Sequence, residues 1–156
     1  MKKTVKSAIG ALLVLCLLVC YKVFNVHIGV RAGNYAQDKE LATAAVERFH
    51  REMDSGQFQI IYQEASPLFQ NVVSQPTLLL AMAQTEQKFG HVVRAVQVAA
   101  NAFPGGEVRF VYNTKFQNGD ATELFTWHSD GQKAALVMYK IQPGTVKPST
   151  HSTHKL

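Results

Sequence analysis

Six histidines and a thin scatter of carboxylates are the side chains here that could move a proton near neutral pH. His128 falls close to the end of a strand pattern, beside the Asp130-Gly131 turn, where it reads as a rim histidine on the inner face of a sheet. His91 directly follows Gly90 at a helix stop, an ordinary place for a histidine near the negative helix end. His50 stands between Phe49 and Arg51 and reads as part of a solvated helix face. His151 and His154 lie in the polar C-terminal tail, where a weak adventitious metal contact is the most they offer. Glu64 and Glu86 sit in helical stretches and read as surface groups, and the strand registers place no Asp or Glu on the inner face. The chain shows no Ser-His-Asp order, no phosphate-binding glycine loop and no metal-ligand spacing. These residues therefore predict no catalytic residue, no metal ligand and no cofactor.

Cysteine chemistry is confined in the same way. Cys16 and Cys20 both lie inside the apolar N-terminal run, so none is left for a zinc site, a disulfide or a nucleophile in the body. Charge is confined too. Residues 1–33 carry Lys2, Lys3, Lys6, Lys22 and Arg31 with no acid, whereas the rest of the chain holds 11 basic and 11 acidic residues. The body is neutral, and the net charge of +5 belongs to the N-terminal segment. That distribution excludes a phosphate backbone as partner and points to membrane topology.

Within that segment Met1–Ser7 is a short basic start, and Ala8–Cys20 is uninterrupted apolar or small. Three readings stand. A cleaved signal peptide fits the basic start, with Val30-Arg31-Ala32 as the nearest cleavage site. Lipidation of Cys20 would follow Leu17-Leu18-Val19. An uncleaved anchor from about Ser7 to Val30 has roughly the 20 residues a bilayer needs, with Lys22 snorkelling to the interface. The anchor is preferred. With the start as the more basic flank, it predicts a single-pass protein of a bacterial inner membrane with its body in the periplasm. Export after cleavage is the alternative.

The elements that would position the body's side chains follow in order. Asp38 offers an N-cap, and Leu41, Ala42, Ala45, Val46, Phe49 and Met53 recur at helical spacing up to Asp54-Ser55-Gly56. Phe58–Ala65 predicts a second short helix, and Leu68–Val73 a further turn. Ser74-Gln75-Pro76 opens a third helix that closes at Gly90. Four strands are then predicted at Val92–Ala100, Glu107–Phe116, Ala121–Ser129 and Gln132–Ile141, the last three as a meander. The fold class is α+β, with three N-terminal helices packed on a curved four-stranded antiparallel sheet and residues 34–142 forming the domain. Residues 143–156 read as a disordered tail.

Strand alternation separates two sheet faces. A three-residue loop at Asn118-Gly119-Asp120 and a two-residue loop at Asp130-Gly131 set Lys115 opposite Glu123 and Val111 opposite Trp127. That register leaves Val111, Phe125, Trp127, Leu136 and Met138 in the middle of an outer face with charged ends, a pattern that suits a partner or a second copy of the chain. The inner face gathers aromatic and hydroxyl groups. Tyr62, Phe110, Tyr112, Thr126 and Tyr139 would line a mostly apolar ligand pocket if they do not simply fill the core.

The pieces AVERFHREMDSGQFQIIYQEASPLFQ, LAMAQTEQKFGHVVR and DGQKAALVMYKI resemble the nuclear-transport-factor-2-like superfamily, in particular its small secreted or membrane-anchored bacterial members of unknown function. The resemblance spans roughly Lys39 to Gln142. It implies a cystatin-like cone of α+β type, an interior able to hold a small ligand, and a homodimer through the outer sheet face. It carries over no catalytic residue, because enzymes and non-enzymes share the fold. The function expected is non-catalytic protein–protein interaction or assembly at the cell envelope, with an envelope protein as partner. A small-molecule-binding module is the alternative, and an isomerase- or dehydratase-type enzyme with a buried general base comes third.

Overall fold

The computed structural model describes residues 34–147. The signal, anchor and lipidation readings lie outside them, as does the tail beyond Lys147. Among the described residues no helix is long and apolar enough to cross a membrane.

Four helices precede four strands: α1 (Tyr35–Asp54), α2 (Phe58–Glu64), α3 (Pro67–Val72), α4 (Gln75–Phe89), β1 (Val92–Phe103), β2 (Glu107–Phe116), β3 (Gly119–Ser129) and β4 (Ala134–Pro143). The strands form one antiparallel sheet in the order β1-β2-β3-β4. The expected α+β class holds, with a fourth helix where the sequence suggests only a further turn. Pro67 makes that helix possible: it occupies the first turn, where no N–H is needed, and the Ser66 hydroxyl accepts from Phe69 N at 3.1 Å.

Helix α1 is capped by Asn34, whose side chain accepts from Gln37 N, and not by Asp38. Asp38 lies one turn inside, buried, where a carboxylate meets the positive end of the helix. Ala42, Ala45, Val46, Phe49 and Met53 form the expected stripe, and it spans all four strands. Phe49 meets Phe125 edge-on at 5.3 Å and Tyr139 at 4.7 Å, so the core centres where α1 crosses β3 and β4.

The expected β3 register is overturned. Phe116 pairs with Gly119, so the β2–β3 hairpin turns on Gln117 and Asn118 alone. Tyr112, not Lys115, stands opposite Glu123, and Val108, not Val111, stands opposite Trp127. The displacement is an odd number of residues, and with a side-chain period of two an odd shift exchanges the faces of the whole strand. Ala121, Glu123, Phe125, Trp127 and Ser129 therefore turn inward. The β3–β4 connection is also longer than expected: Ser129 pairs with Ala134, and Asp130 Oδ1 accepts from Gln132 N at 2.8 Å and Lys133 N at 2.9 Å to shape the loop. A bulge between Thr126 and Trp127 of the ladder then lets Ala134 and Leu136 before it, and Tyr139 and Ile141 after it, all face the core.

Beyond Pro143 the chain folds back onto the outer face instead of leaving the domain at Gln142. Thr122 donates to Gly144 O at 2.8 Å, while the Asn113 side chain donates to Val146 O at 2.7 Å and accepts from Val146 N at 3.0 Å.

Candidate functional site

Turning β3 inward places a carboxylate in the core. Glu123 is completely buried and its two oxygens are held by three donors. Oε2 lies 2.9 Å from His50 Nε2 and also accepts from the Thr114 hydroxyl. Oε1 accepts from the Tyr139 hydroxyl at 2.8 Å. The contact runs through His50 Nε2, the ring nitrogen turned toward β3. Each donor comes from a different element: His50 from α1, Thr114 from β2 and Tyr139 from β4. The cluster thus ties the helix to three adjacent strands.

The surroundings are aromatic. His50 packs edge-on against Tyr112 at 6.4 Å and Phe125 at 5.9 Å, and Tyr112 meets Phe125 at right angles. Burial, and after it the Glu123 charge, push the Tyr139 phenol well above its ordinary value near 10. Burial also raises Tyr112, with help from the charges of Glu47 and Glu123, to about 12. Both phenols are therefore neutral donors at physiological pH. Tyr112 uses its hydroxyl toward Gln97 Oε1 at 3.3 Å.

Chemically, a carboxylate beside an imidazole is what a general base needs. Here the carboxylate is fully engaged, and the space around it is filled by Phe49, Phe125 and the two tyrosines. A small, partly open hollow of about 10 Å³ lies where Arg48, Glu52 and Glu64 meet Phe49, Ile61, Trp127 and Leu136. Larger clefts lie at the surface. One of about 540 Å³ runs between α1 and β1, and another of about 520 Å³ opens between α2–α3 and the β3–β4 loop.

The expected pocket residues are dispersed. Phe110 and Tyr112 are buried on the inner face, and Tyr139 reaches the same core through the β4 bulge. Thr126 is on the opposite face, between Arg109 and Met138, because of the reversed β3 register. Tyr62 is half-buried between α2 and α3, its hydroxyl 3.4 Å from Gln70 O. The expected interface set divides as well. Phe125, Trp127 and Leu136 are core residues, 1%, 3% and 2% exposed, and cannot form an outer surface. Val111 and Met138 keep their outward positions, Met138 at 41% exposure. The indole of Trp127 stacks on Phe125 at 6.0 Å, and its Nε1 has no hydrogen-bond partner among the described residues.

The histidines also move. His128 is exposed on the outer face opposite Glu107, not on the inner one. His91 stays near the end of α4, 3.7 Å from Asp54. His50, expected on a solvated face, is buried. The sequence does carry a signal for it. Ala42, Val46 and His50 step by four, and Phe49 and Met53 flank the same stripe, so position 50 belongs to the buried row. For Glu123 the signal is weaker: it shares alternate positions with Phe125 and Trp127, the bulkiest side chains of β3.

No protein-family model, curated protein or solved structure matches this chain.

Proposed function

We propose that this chain is a membrane-anchored domain of nuclear-transport-factor-2-like type that acts, without catalysis, in protein–protein interaction or assembly at the cell envelope. The observation that carries the proposal is the contrast between the two sheet faces. The inner face is filled, with Phe49, Phe110, Phe125, Trp127 and Leu136 all buried against one another. The outer face keeps Val96, Val111, Leu124 and Met138, with Val96 at 40% and Met138 at 41% exposure. Arg94, Arg109, Lys115 and Lys140 share that face, giving an apolar centre with a charged rim. A second copy meeting the same face, or an envelope protein, would cover it.

Crosslinking of the full-length protein in its native membrane, followed by affinity purification and mass spectrometry, tests this. The expected result is crosslinks that include the outer face and disappear in a Val111→Glu, Met138→Glu protein. Recovery of uncrosslinked monomer alone, in wild type and variant alike, would sink the proposal.

The buried Glu123–His50 pair favours a second reading, a small-molecule site or an enzyme built on a general base. It requires Phe49 or Tyr112 to move aside and open the cluster to a ligand. Solvent exchange of the His50 ring protons on the minutes scale would support it, whereas protection comparable to the core amides would argue against it.

A further inference from the structure

The open sheet has two borders, β1 and β4; Ser66 N donates to Leu136 O of β4, and β1 is the longer of the two. Among the described residues this 12-residue strand pairs with β2 alone, so its other edge presents backbone N–H and C=O groups with no strand beside them. Its side chains do little to discourage pairing. Val93 is 59% exposed and Val96 40%, and Arg94 is the single charged residue of the strand.

Next to this edge runs the cleft between α1 and β1. Its helix wall carries Glu40, Thr43, Ala44 and Glu47, with Lys39 on the same wall, and Gln97 closes it from the strand. Glu40 and Glu47 stand two helical turns apart, roughly 10 Å along the axis. Both are exposed, and neither is paired with a basic side chain among the described residues. Gln97 is held in place by the Tyr112 hydroxyl at 3.3 Å, so the strand side of the cleft is firm. An open strand edge and an acidic trough thus lie side by side.

We propose that the β1 edge and the α1–β1 cleft form one docking site for an extended peptide with lysine or arginine at alternate positions. The peptide adds as a fifth strand, so its backbone supplies the missing partners of β1. Side chains alternate across a strand. One set therefore turns toward α1 and brings its cations to Glu40 and Glu47, while the other lies over Val96. Charge complementarity selects this occupant over a second copy of the chain. Two β1 edges paired about a two-fold axis would set two clefts next to each other, each with Glu40 and Glu47 against a single Lys39, and so bring together an excess of negative charge.

The experiment uses full-length protein in a mild detergent and a fluorescein-labelled peptide of about nine residues, alternating lysine with threonine, long enough to cover most of a strand. Fluorescence anisotropy should show binding that weakens with salt, and hydrogen exchange should show new protection in β1. A Glu40→Gln, Glu47→Gln protein should bind about tenfold more weakly, as expected for two exposed charge pairs lost together. Both positions are exposed, so that protein keeps its fold, and a Met138→Glu protein should bind like wild type. Any of four results overturns the proposal: no binding, equal binding of a peptide alternating glutamate with threonine, protection gained on β4 and not on β1, or a concentration-dependent dimer joined through β1.

Discussion

His50 and Glu123 show how much can hang on one pair of side chains. A buried carboxylate survives in a core only if its lone pairs are used, and Glu123 spends its two oxygens on His50, Thr114 and Tyr139. Replacing His50 by alanine removes the donor from α1 and leaves the charge buried. We expect a loss of about 3 kcal/mol in urea denaturation, toward the lower end of what breaking a buried pair costs. Tyr112 and Tyr139 make a second prediction. Their folded phenols hold protons more tightly than the unfolded chain does, so the neutral form contributes stability that is complete below about pH 10. For Tyr112 that contribution is lost as pH rises to about 12, and Tyr139 acts in the same sense. Denaturation midpoints followed through that window should fall, and the fall should be shallower in a Tyr112→Phe protein. The histidine could have been found from helical periodicity, whereas the glutamate carries only the weaker signal of alternating with Phe125 and Trp127. Its burial depends on which way β3 faces, and that was set by a turn.

At the scale of elements, turns made the decisions. The β2–β3 hairpin could close on Asn118-Gly119-Asp120 or on Gln117-Asn118, and both fit the local composition. The difference is an odd number of residues, enough to move Phe125, Trp127 and Glu123 from surface to core. The β4 bulge had the same power over Tyr139 and Ile141. A turn that tolerates no change stands at the other end of the meander. Gly106 has φ +84°, and a Cβ there would sit 2.2 Å from the Ser129 carbonyl oxygen, while Ser129 N donates to Gly106 O at 2.8 Å. Gly106→Ala must therefore part β3 from the β1–β2 turn. We expect it to cost about 2 kcal/mol, read as a lower thermal midpoint, with Gly56→Ala milder because nothing lies within 4 Å of a Cβ there.

For the whole molecule, two substitutions of similar chemistry should have opposite consequences. Trp127→Glu puts a carboxylate into the core beside Phe125, so cooperative unfolding should be lost and not merely the association state. Met138→Glu adds the same charge to the outer face, so the thermal midpoint should stay close to wild type while any outer-face association weakens. Circular dichroism melts with sedimentation velocity on both proteins check this pair. The sequence by itself determined the class and the order of elements, because helical periodicity, Pro-initiated helices and the runs of β-branched and aromatic residues are local signals. It also determined that the body is neutral and that its cysteines lie elsewhere. Which face each strand turns to the helices was decided only in three dimensions. Side chains alternate with a period of two, so one residue more or less in a turn inverts a whole strand, and the winner is the register that buries the most apolar surface. That choice carried Glu123 into the core, brought His50 to it, and left Met138 exposed on the opposite face.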